Sequence, residues 1–528
     1  MINTYTQAEN LKLHTYPHYG QGKSMCHDVH DQLLHALIHF AHMSSMRSAD
    51  IDVLIKGLAL REHTRNTSSE QARLFGEQLL EMCGNDTRRS FYAAQVYKGN
   101  SDIIALRLLF LQGLQSMAVL AAEASGYGFR RASVDNWFRK GLVSLCESRS
   151  IDEWFALMKD LSRAHIACMA MVDSARAHAF GQPKPQQVSL KIESGPFIVV
   201  CGHGMQDLND VLEQSQGLGV HVYTHGEMIM AHSYPALQAY PHLRGHIGAS
   251  WHDCLEDYAH IPAVVLHTSA VSTRIAIDNP KRLYSSADIG NEGMKPVGTT
   301  EGLGKDFTAL ITHAMVLKGY TEEERHYDAH GCRSHTISTG HQALYEQAEA
   351  LCAGLHKGSV SHYYVLAGDI EGLVQSQYAH FMQQSSLDSS FLTLGCCKDR
   401  FRDMHLETNH AFPRLLSIGA CGSVYRVVQL LVALSEVMSC SMKDVPISLV
   451  VNWSDESAVA MFLTLAALGM NVVTLPHQGP AFLSEEAGRI MAKHFGLQEC
   501  SFPANAGVGS ALPHKAPDIR THATFSRV

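Results

Sequence analysis

Two short apolar runs joined by an amphipathic stretch constrain the fold of this chain more than any other feature. Residues 197–200 and 220–223 have the length and apolar character of strands, and residues 205–215 between them have helical periodicity. The pattern predicts a β-α-β unit. Polar clusters follow both runs, Cys201-Gly-His203 after the first and Thr224-His-Gly-Glu227 after the second. Because ligands bind at the carboxyl ends of strands in open α/β sheets, this segment also predicts a site.

Before this segment the chain has a helical pattern. Apolar residues recur at three- and four-residue intervals through residues 1–187, and few β-rich runs intervene. We therefore expect a helical bundle domain over 1–187, ending in the Pro-containing linker 181–187. The predicted helices are 31–42, 50–60, 69–83, 102–124, 133–146 and 152–179.

After the linker, strand and helix patterns alternate, which favours parallel sheets with right-handed crossovers. The sequence thus predicts a multidomain α + α/β fold, with two Rossmann-like parallel α/β domains at 188–340 and 341–503 and a loosely ordered tail at 504–528. The predicted strands are 197–200, 220–223, 263–267, 362–366, 391–394 and 447–452. The predicted helices are 205–215, 305–317, 341–355, 422–439 and 456–468.

Composition narrows the classes of partner and the compartment. A formal net charge of −9 over 528 residues argues against nucleic-acid and anionic-membrane binding. Residues 106–122 are too short and too polar to span a bilayer, so we expect a buried core helix there. Thirteen scattered cysteines without a secretion signal indicate reduced thiols and a cytoplasmic protein. No oligomeric state is indicated.

Potential metal ligands follow several predicted strands. Thiolates suit iron–sulfur clusters or zinc, whereas imidazole and carboxylate groups suit iron or manganese. The His-rich stretch 326–341 matches no zinc spacing, so we interpret it as a loop. The strand-end clusters are Cys201/His203, His225/Glu227, Asp369/Glu371, Cys396/Cys397, Cys421 and Asp455/Glu456.

Long motifs resemble the hybrid-cluster proteins, or hydroxylamine reductases, which are related to carbon monoxide dehydrogenases. The resemblance covers about 500 residues and is carried by CGHGMQDLNDVLEQSQGLGVHVYTHGEM, AHSYPALQAYPHLRGHIGASW, LTLGCCKDRF, PRLLSIGAC, DVPISLVVNW and LTLAALGMNVV, with weaker similarity in YGQGKSMCHDVHDQLLHAL. It implies a helical domain followed by two α/β domains, in agreement with the pattern above. It also implies a redox enzyme that reduces hydroxylamine or nitric oxide during nitrosative stress.

The family's hybrid iron–sulfur–oxygen cluster is held by one His, two Glu and four Cys. The resemblance assigns the His to His203, the first Glu to Glu227 and two thiolates to Cys396 and Cys421. The other positions depart from the family pattern. A third Cys position falls at about Val271, the persulfide Cys position at Asp369, the second Glu position at Asp455 and a nearby Lys position at Ser457.

The family also carries four amino-terminal cysteines that hold a second, cubane cluster. Only Cys26 matches them, so we expect the N-terminal [4Fe-4S] cluster to be absent. The inner site keeps His203, Glu227, Asp369, Cys396, Cys421 and Asp455 as expected metal ligands.

Three hypotheses follow for the function. The first is a hydroxylamine reductase-like redox enzyme with iron or an iron–sulfur–oxo cluster, a small-molecule substrate and a redox partner protein. The second is a non-redox metalloprotein that holds zinc or iron. The third is a non-catalytic paralogue that keeps the fold and a partner surface, and that regulates, senses or binds a true family member.

Overall fold

The structure, a computed structural model, describes much of the chain from Val29 to Glu499. The described residues are 29–42, 46–63, 70–83, 95–248, 258, 261–269, 280–287, 294–300, 304–322, 324–325, 334–337, 341–368, 372–394, 401, 404, 406, 413–419, 424–453, 456–475, 480, 482–483 and 485–499.

The first part of the chain is helical, as predicted. The longest of its helices begins at Ser150, whose hydroxyl accepts a hydrogen bond from the Glu153 backbone N–H while the Glu153 carboxylate accepts one from the Ser150 backbone N–H. This helix ends at Gly181, which adopts a φ of 85°. The described helices here are α1 (Val29–Ala41), α2 (Ser48–His63), α3 (Glu70–Cys83), α4 (Ser101–Gly126), α5 (Ala132–Ser144) and α6 (Ile151–Phe180).

Helix α4 is the most apolar of them. Within the described residues it is the one helix long and apolar enough to cross a membrane, judged by length and composition alone, and 78% of its apolar window is buried inside the protein. It packs against α2 and α6 and against a helix of the second α/β domain. These contacts agree with the core helix expected for residues 106–122.

Two six-stranded parallel sheets follow. The first has the strand order β5-β4-β3-β6-β7-β8 and the second has the order β15-β14-β13-β16-β17-β18. The first sheet is built from β3 (Phe197–Cys201), β4 (His221–His225), β5 (Leu243–Ile247), β6 (Val264–His267), β7 (Leu283–Ser285) and β8 (Lys295–Pro296). The second is built from β13 (His362–Gly368), β14 (Ser389–Leu394), β15 (Leu415–Gly419), β16 (Ile447–Asn452), β17 (Asn471–Thr474) and β18 (Leu497–Glu499).

Within each sheet the strands run 3-2-1-4-5-6, which is the doubly wound order of dinucleotide-binding folds. The winding direction reverses between β3 and β6 in one sheet and between β13 and β16 in the other. Ligands bind at such switch points, beyond the carboxyl ends of the strands. The predicted fold class is therefore confirmed, whereas the domain limits at 187, 340 and 503 stay predictions.

Helices connect and cover these strands. They are α7 (Met205–Ser215), α8 (Pro235–Gln238), α9 (Thr308–Leu317), α10 (His341–His356), α11 (Gly372–Gln384), α12 (Val424–Val437), α13 (Glu456–Ala467) and α14 (Glu485–Phe495). The described strands outside the two large sheets are short: β1 (Gln186–Ser189), β2 (Lys191–Ile192), β9 (Gly298–Thr300), β10 (Gly304–Asp306), β11 (Glu324–Arg325) and β12 (Ser334–Ile337).

The pair β1–β12 corrects two predictions. Strand β1 begins inside the predicted linker and pairs antiparallel with β12, which lies inside the tract interpreted as a loop. Val188 and Ile337 are both buried, and they pack with Ile229 in a small apolar cluster. Burial of these side chains explains why segments with weak strand patterns become ordered strands.

One hydrophobic core joins the helical region to the second sheet. It contains side chains of α1–α6 together with the inner side chains of α12, α13 and β13–β17. The first sheet has separate clusters on its two faces, one with Ile198 and Val200 and the other with Phe197 and Val199. The helical region therefore packs on the helices α12, α13 and α14 that cover the second sheet, and we expect it to support any site between the two sheets.

Candidate functional site

The predicted ligand His203 lies in the loop that follows β3, at the switch point of the first sheet. Gly202 gives this loop its shape. Its φ of 108° is a conformation that glycine adopts readily and other residues rarely adopt. A Cβ there would also lie 2.6 Å from the hydroxyl oxygens of both Thr268 and Ser269. The Thr268 hydroxyl accepts a hydrogen bond from the Gly204 backbone N–H at 2.9 Å and donates one to the Cys201 carbonyl at 3.0 Å. The loop is thereby tied to the end of β6.

Ser269, just after β6, contacts the imidazole of His203. The Ser269 hydroxyl lies 3.3 Å from Nδ1 of His203, so this ring nitrogen is engaged within the protein. Nε2 is then the nitrogen left to bind an external group. A hydrogen bond to one nitrogen of a ligating histidine commonly fixes which of its two nitrogens binds metal.

His203 and Glu227 share one electrostatic environment. The His203 side chain is exposed and Glu227 is half-buried. Burial of the imidazole surroundings nevertheless lowers the pKa of His203, while the nearby Glu227 carboxylate raises it. Ligands of doubly wound sheets bind in the crevice beyond the carboxyl ends of the switch-point strands. We call this region, with His203, Glu227 and Ser269, the His203 cleft. His203 and Glu227, the two predicted ligands among the described residues, each lie two positions beyond the end of their strand, and these strands, β3 and β4, are neighbours. Their binding to one metal stays a prediction.

The helical region supplies an ion pair to the same cleft. Arg176 on α6 donates to both carboxylate oxygens of Glu123 on α4, at 2.6 and 2.8 Å. Burial alone would lower the pKa of Arg176, but the Glu123 carboxylate reverses this and raises it. Both charges act on His203: Arg176 lowers its pKa and Glu123 raises it. The ion pair therefore adjusts the charge balance at the predicted ligand.

Further groups extend this charged wall to the second α/β domain. Burial raises the pKa of Asp173, and Arg176 and Arg426 oppose that shift. Arg426 lies on α12, which follows the segment that contains Cys421, and it donates to the side-chain oxygen of Gln347 at 3.0 Å. Burial also raises the pKa of Tyr234 to about 12. Charged groups from the helical region and from the second α/β domain thus lie close together beside the His203 cleft.

Three neighbouring strands of the first sheet, β3, β4 and β6, each end in a potential metal ligand. Cys201 is the register partner of His225 on β4 and of His267 on β6. All three side chains are buried. Burial and the neighbouring His225 lower the pKa of His267 to about 4. A second buried group lies beside this row, where the Thr224 hydroxyl contacts His232 at 3.0 Å and His246 at 2.9 Å.

Four predicted site residues lie outside the described residues. Asp369 and Asp455 come soon after β13 and β16, the two switch-point strands of the second sheet. Cys396 and Cys421 come soon after β14 and β15. Cys26 and Val271 also lie outside. In the part of the chain that the structure does describe, no three His, Cys, Asp or Glu side chains already surround one metal position.

Sequence reasoning missed the helical contribution to the site. Glu123 and Arg176 are 53 positions apart on two helices, and nothing in the helical periodicity distinguishes them from solvent-facing charges. Cys201 and His225 were recognised as strand-end residues. Their alignment with His267 needs the strand order, which the sequence did not supply.

Known proteins share the sequence pattern and the fold of this chain. A model of the Prismane/CO dehydrogenase family matches residues 20–505. The chain belongs to the Prismane/CO dehydrogenase family. This match confirms the assignment that the sequence motifs carried, and it spans the helical region and both sheets.

Solved structures are similar to this Prismane-family chain in fold. Carbon monoxide dehydrogenase IV from Carboxydothermus hydrogenoformans is 12% identical, with a TM-score of 0.51 over 91% of this chain and 87% of that one. A nickel-free carbon monoxide dehydrogenase from Thermococcus sp. AM4 is 16% identical, with a TM-score of 0.52 over 91% and 85%. A structure of acetyl-CoA synthase/carbon monoxide dehydrogenase, which has NiZn[Fe4S4] and NiNi[Fe4S4] clusters in its closed and open alpha subunits, contains a chain that is 12% identical, with a TM-score of 0.51 over 89% and 77%.

Proposed function

We propose that this chain is a hydroxylamine reductase-like redox metalloprotein with an altered metal site. Its ligands would be His203 and Glu227 together with Cys396, Cys421, Asp369 and Asp455. The observation that carries the proposal is that His203 and Glu227 follow neighbouring strands at the switch point of the first sheet, where the Glu227 carboxylate raises the pKa of His203. Membership of a family whose proteins bind iron–sulfur clusters adds support.

The donor set fits iron better than a complete hybrid cluster. Imidazole and carboxylate oxygens are ligands for iron, and two thiolates can anchor it through sulfur. The family pattern has four thiolates, and two of those positions are about Val271 and Asp369 here. We therefore propose iron, or a smaller iron–sulfur–oxo assembly, at the inner site, and no N-terminal [4Fe-4S] cluster.

The protein's own residues would bind and orient the reacting groups. Ser269 contacts Nδ1 of His203 and so leaves Nε2 to bind the metal, and the Gly202 loop holds that histidine at the end of β3. The Arg176–Glu123 ion pair sets the charge around it. When bound, the metal would polarise the substrate N–O bond and supply electrons. Hydroxylamine takes up two electrons and two protons to give ammonia and water.

The electrons must come from outside the chain. Without an N-terminal cluster, a redox partner protein would have to deliver them directly to the inner site. The protons can come from solvent, which reaches the exposed His203 side chain. A cytoplasmic location and a role in nitrosative stress belong to the same proposal.

Anaerobic purification tests this function. We expect iron with acid-labile sulfide, an electron paramagnetic resonance signal, and ammonia production from hydroxylamine with a reduced viologen as donor. Stoichiometric zinc, or iron without sulfide, together with no ammonia would instead support the non-redox metalloprotein. A folded, metal-free chain would support the non-catalytic paralogue.

A double variant tests the ligand assignment. His203→Ala with Cys421→Ala removes one predicted ligand from each α/β domain, so we expect the iron content of the purified protein to fall to background. Full metal content in that variant would show that the site lies elsewhere. Cys168→Ala is the matched control, since Cys168 is a buried thiol in the helical region.

A further inference from the structure

Three neighbouring strands of the first sheet end in the same pattern, a buried residue at the strand end and a second polar residue two positions later. Cys201, His225 and His267 are register partners at the ends of β3, β4 and β6, and each precedes a cleft-side residue by two positions. The cleft-side residues are His203, Glu227 and Ser269. Because side chains in register on parallel strands point to the same face of a sheet, the small Cys201 side chain lies between two imidazoles. We refer to Cys201, His225 and His267 as the lower row.

The lower row is buried, and two of its members are in contact. The relative exposures of Cys201, His225 and His267 are 4%, 0% and 2%. Sγ of Cys201 lies 3.5 Å from Nδ1 of His225. The ring of Tyr258 lies against both imidazoles, with centroid distances of 5.0 Å to His225 and 5.9 Å to His267.

One polar atom of this row has no hydrogen bond. Nε2 of His267 is buried and has no partner among the described residues. A buried polar nitrogen without a partner is unfavourable, and native structures resolve such groups with a water, an ion or another polar group. This atom lies on the same sheet face as a thiol that already contacts an imidazole.

We propose that the lower row is a second metal site, distinct from the His203 cleft, in which Cys201, His225 and His267 bind a divalent cation of the zinc class. One thiolate and two imidazoles form a ligand set typical of zinc, with a fourth position for water. Binding releases the thiol proton of Cys201 to solvent. The three donors do not surround one point in the described structure, so binding requires their side chains to turn toward a common point.

The site does not depend on the proposed function. The cleft ligands and the lower row share no side chain, so either site can be lost alone. Cobalt(II) serves as the probe, because a cobalt–thiolate bond gives a charge-transfer absorption that imidazole and carboxylate ligands lack.

The decisive experiment removes the predicted cleft thiolates first. In metal-free full-length protein carrying Cys396→Ala and Cys421→Ala, we expect one equivalent of cobalt to bind per chain with a thiolate charge-transfer band. Adding Cys201→Ala should abolish the band. Adding Cys352→Ala should leave the band unchanged. Cys352 is the matched control because its Sγ also lies 3.5 Å from a nitrogen of one imidazole, that of His356, but no second histidine of the described residues is in register with that pair.

A second variant keeps the proposal testable if Cys201→Ala does not fold, as judged by circular dichroism. His267→Gln retains the thiol and a neutral polar side chain, and we expect it to weaken cobalt binding by about tenfold or more. Absence of the band in the starting variant would overturn the proposal. So would equal loss of the band on Cys352→Ala, or an unchanged cobalt affinity in His267→Gln.

Discussion

The hydroxyl of Ser269 lies 3.3 Å from Nδ1 of His203, which joins the ends of β3 and β6 across the switch point of the first sheet. The contact does two things at once. It orients the imidazole, and it leaves Nε2 as the nitrogen that can bind metal. Partners of this kind are often as important for metal affinity as the ligands they orient.

Ser269→Ala should therefore weaken metal binding without unfolding the protein. We expect the affinity of the cleft for its metal to fall about tenfold to 100-fold. Competition with a chelator, followed by metal analysis, measures the change. Ser385→Ala is the control, since its hydroxyl bonds only to its own helix at the Phe381 carbonyl in the described structure. Equal affinities in both variants would mean that Ser269 does not orient His203.

Gly202→Ala should be strongly destabilising. The added Cβ would meet two hydroxyl oxygens at 2.6 Å, in a backbone conformation that suits glycine. We expect the free energy of unfolding to fall by about 3 kcal/mol, measured by urea denaturation. Gly217→Ala isolates the conformational part, because Gly217 has a φ of 77° with open space around it, and should cost about 1 kcal/mol. Similar losses in the two variants would contradict the close packing of the Gly202 loop.

The Arg176–Glu123 ion pair should shift the titration of His203 in opposite directions when each partner is neutralised. Arg176 lowers the pKa of His203 and Glu123 raises it. In the metal-free protein, Arg176→Gln should therefore raise that pKa and Glu123→Gln should lower it, as followed by the NMR signal of the imidazole. The surface pair of Arg163 with Asp160 provides a control through Asp160→Asn, which should change nothing. Shifts of the same sign in both variants would refute the arrangement.

His165 should make stability depend on pH. It is buried between α6 and α13, where Nδ1 contacts the Thr464 hydroxyl at 2.8 Å, and burial lowers its pKa to about 4. The unfolded chain, with a histidine pKa of about 6.5, binds the proton more readily than the folded chain does. Stability is therefore full above about pH 6.5 and lost as the pH falls toward 4, by up to about 3 kcal/mol for this residue.

Urea denaturation at several pH values tests this dependence. We expect His165→Gln to reduce the slope of unfolding free energy against pH. Ser162→Ala, at the same helix contact, should lower stability without changing the slope, because its hydroxyl donates to the Leu463 carbonyl and carries no titrating proton. An unchanged slope in His165→Gln would show that His165 has the same pKa in the folded chain as in the unfolded chain.

The sequence predicted the fold where its patterns were strong. The buried strands β3, β13 and β16 are continuous apolar runs, and they were located to within about two residues. Strand β5 contains Arg244, Gly245 and His246, and strand β8 is exposed, so neither has the composition of a buried strand. Their positions are fixed by pairing with neighbours, which a local pattern does not contain.

Only the strand ends of the candidate site could be predicted from the sequence. His203 and Glu227 lie in a contiguous motif, directly after strong strand patterns, and the structure has those two strands as neighbours. Their role as metal ligands stays a prediction. The ion pair of Glu123 with Arg176 joins two helices of the helical region, and the lower row joins three strands. Contacts between distant segments depend on tertiary packing, so the local spacing of residues in the sequence does not predict them.

The repeated strand order has a consequence for how this chain could change during evolution. Each sheet is held together by its own buried strands, whereas the predicted ligands lie in the segments that follow those strands. The family pattern has cysteines at the positions of about Val271 and Asp369, and neither position contributes a side chain to the described cores. Substitutions in these segments can therefore alter the predicted metal ligands while the buried strands that hold each sheet together stay unchanged.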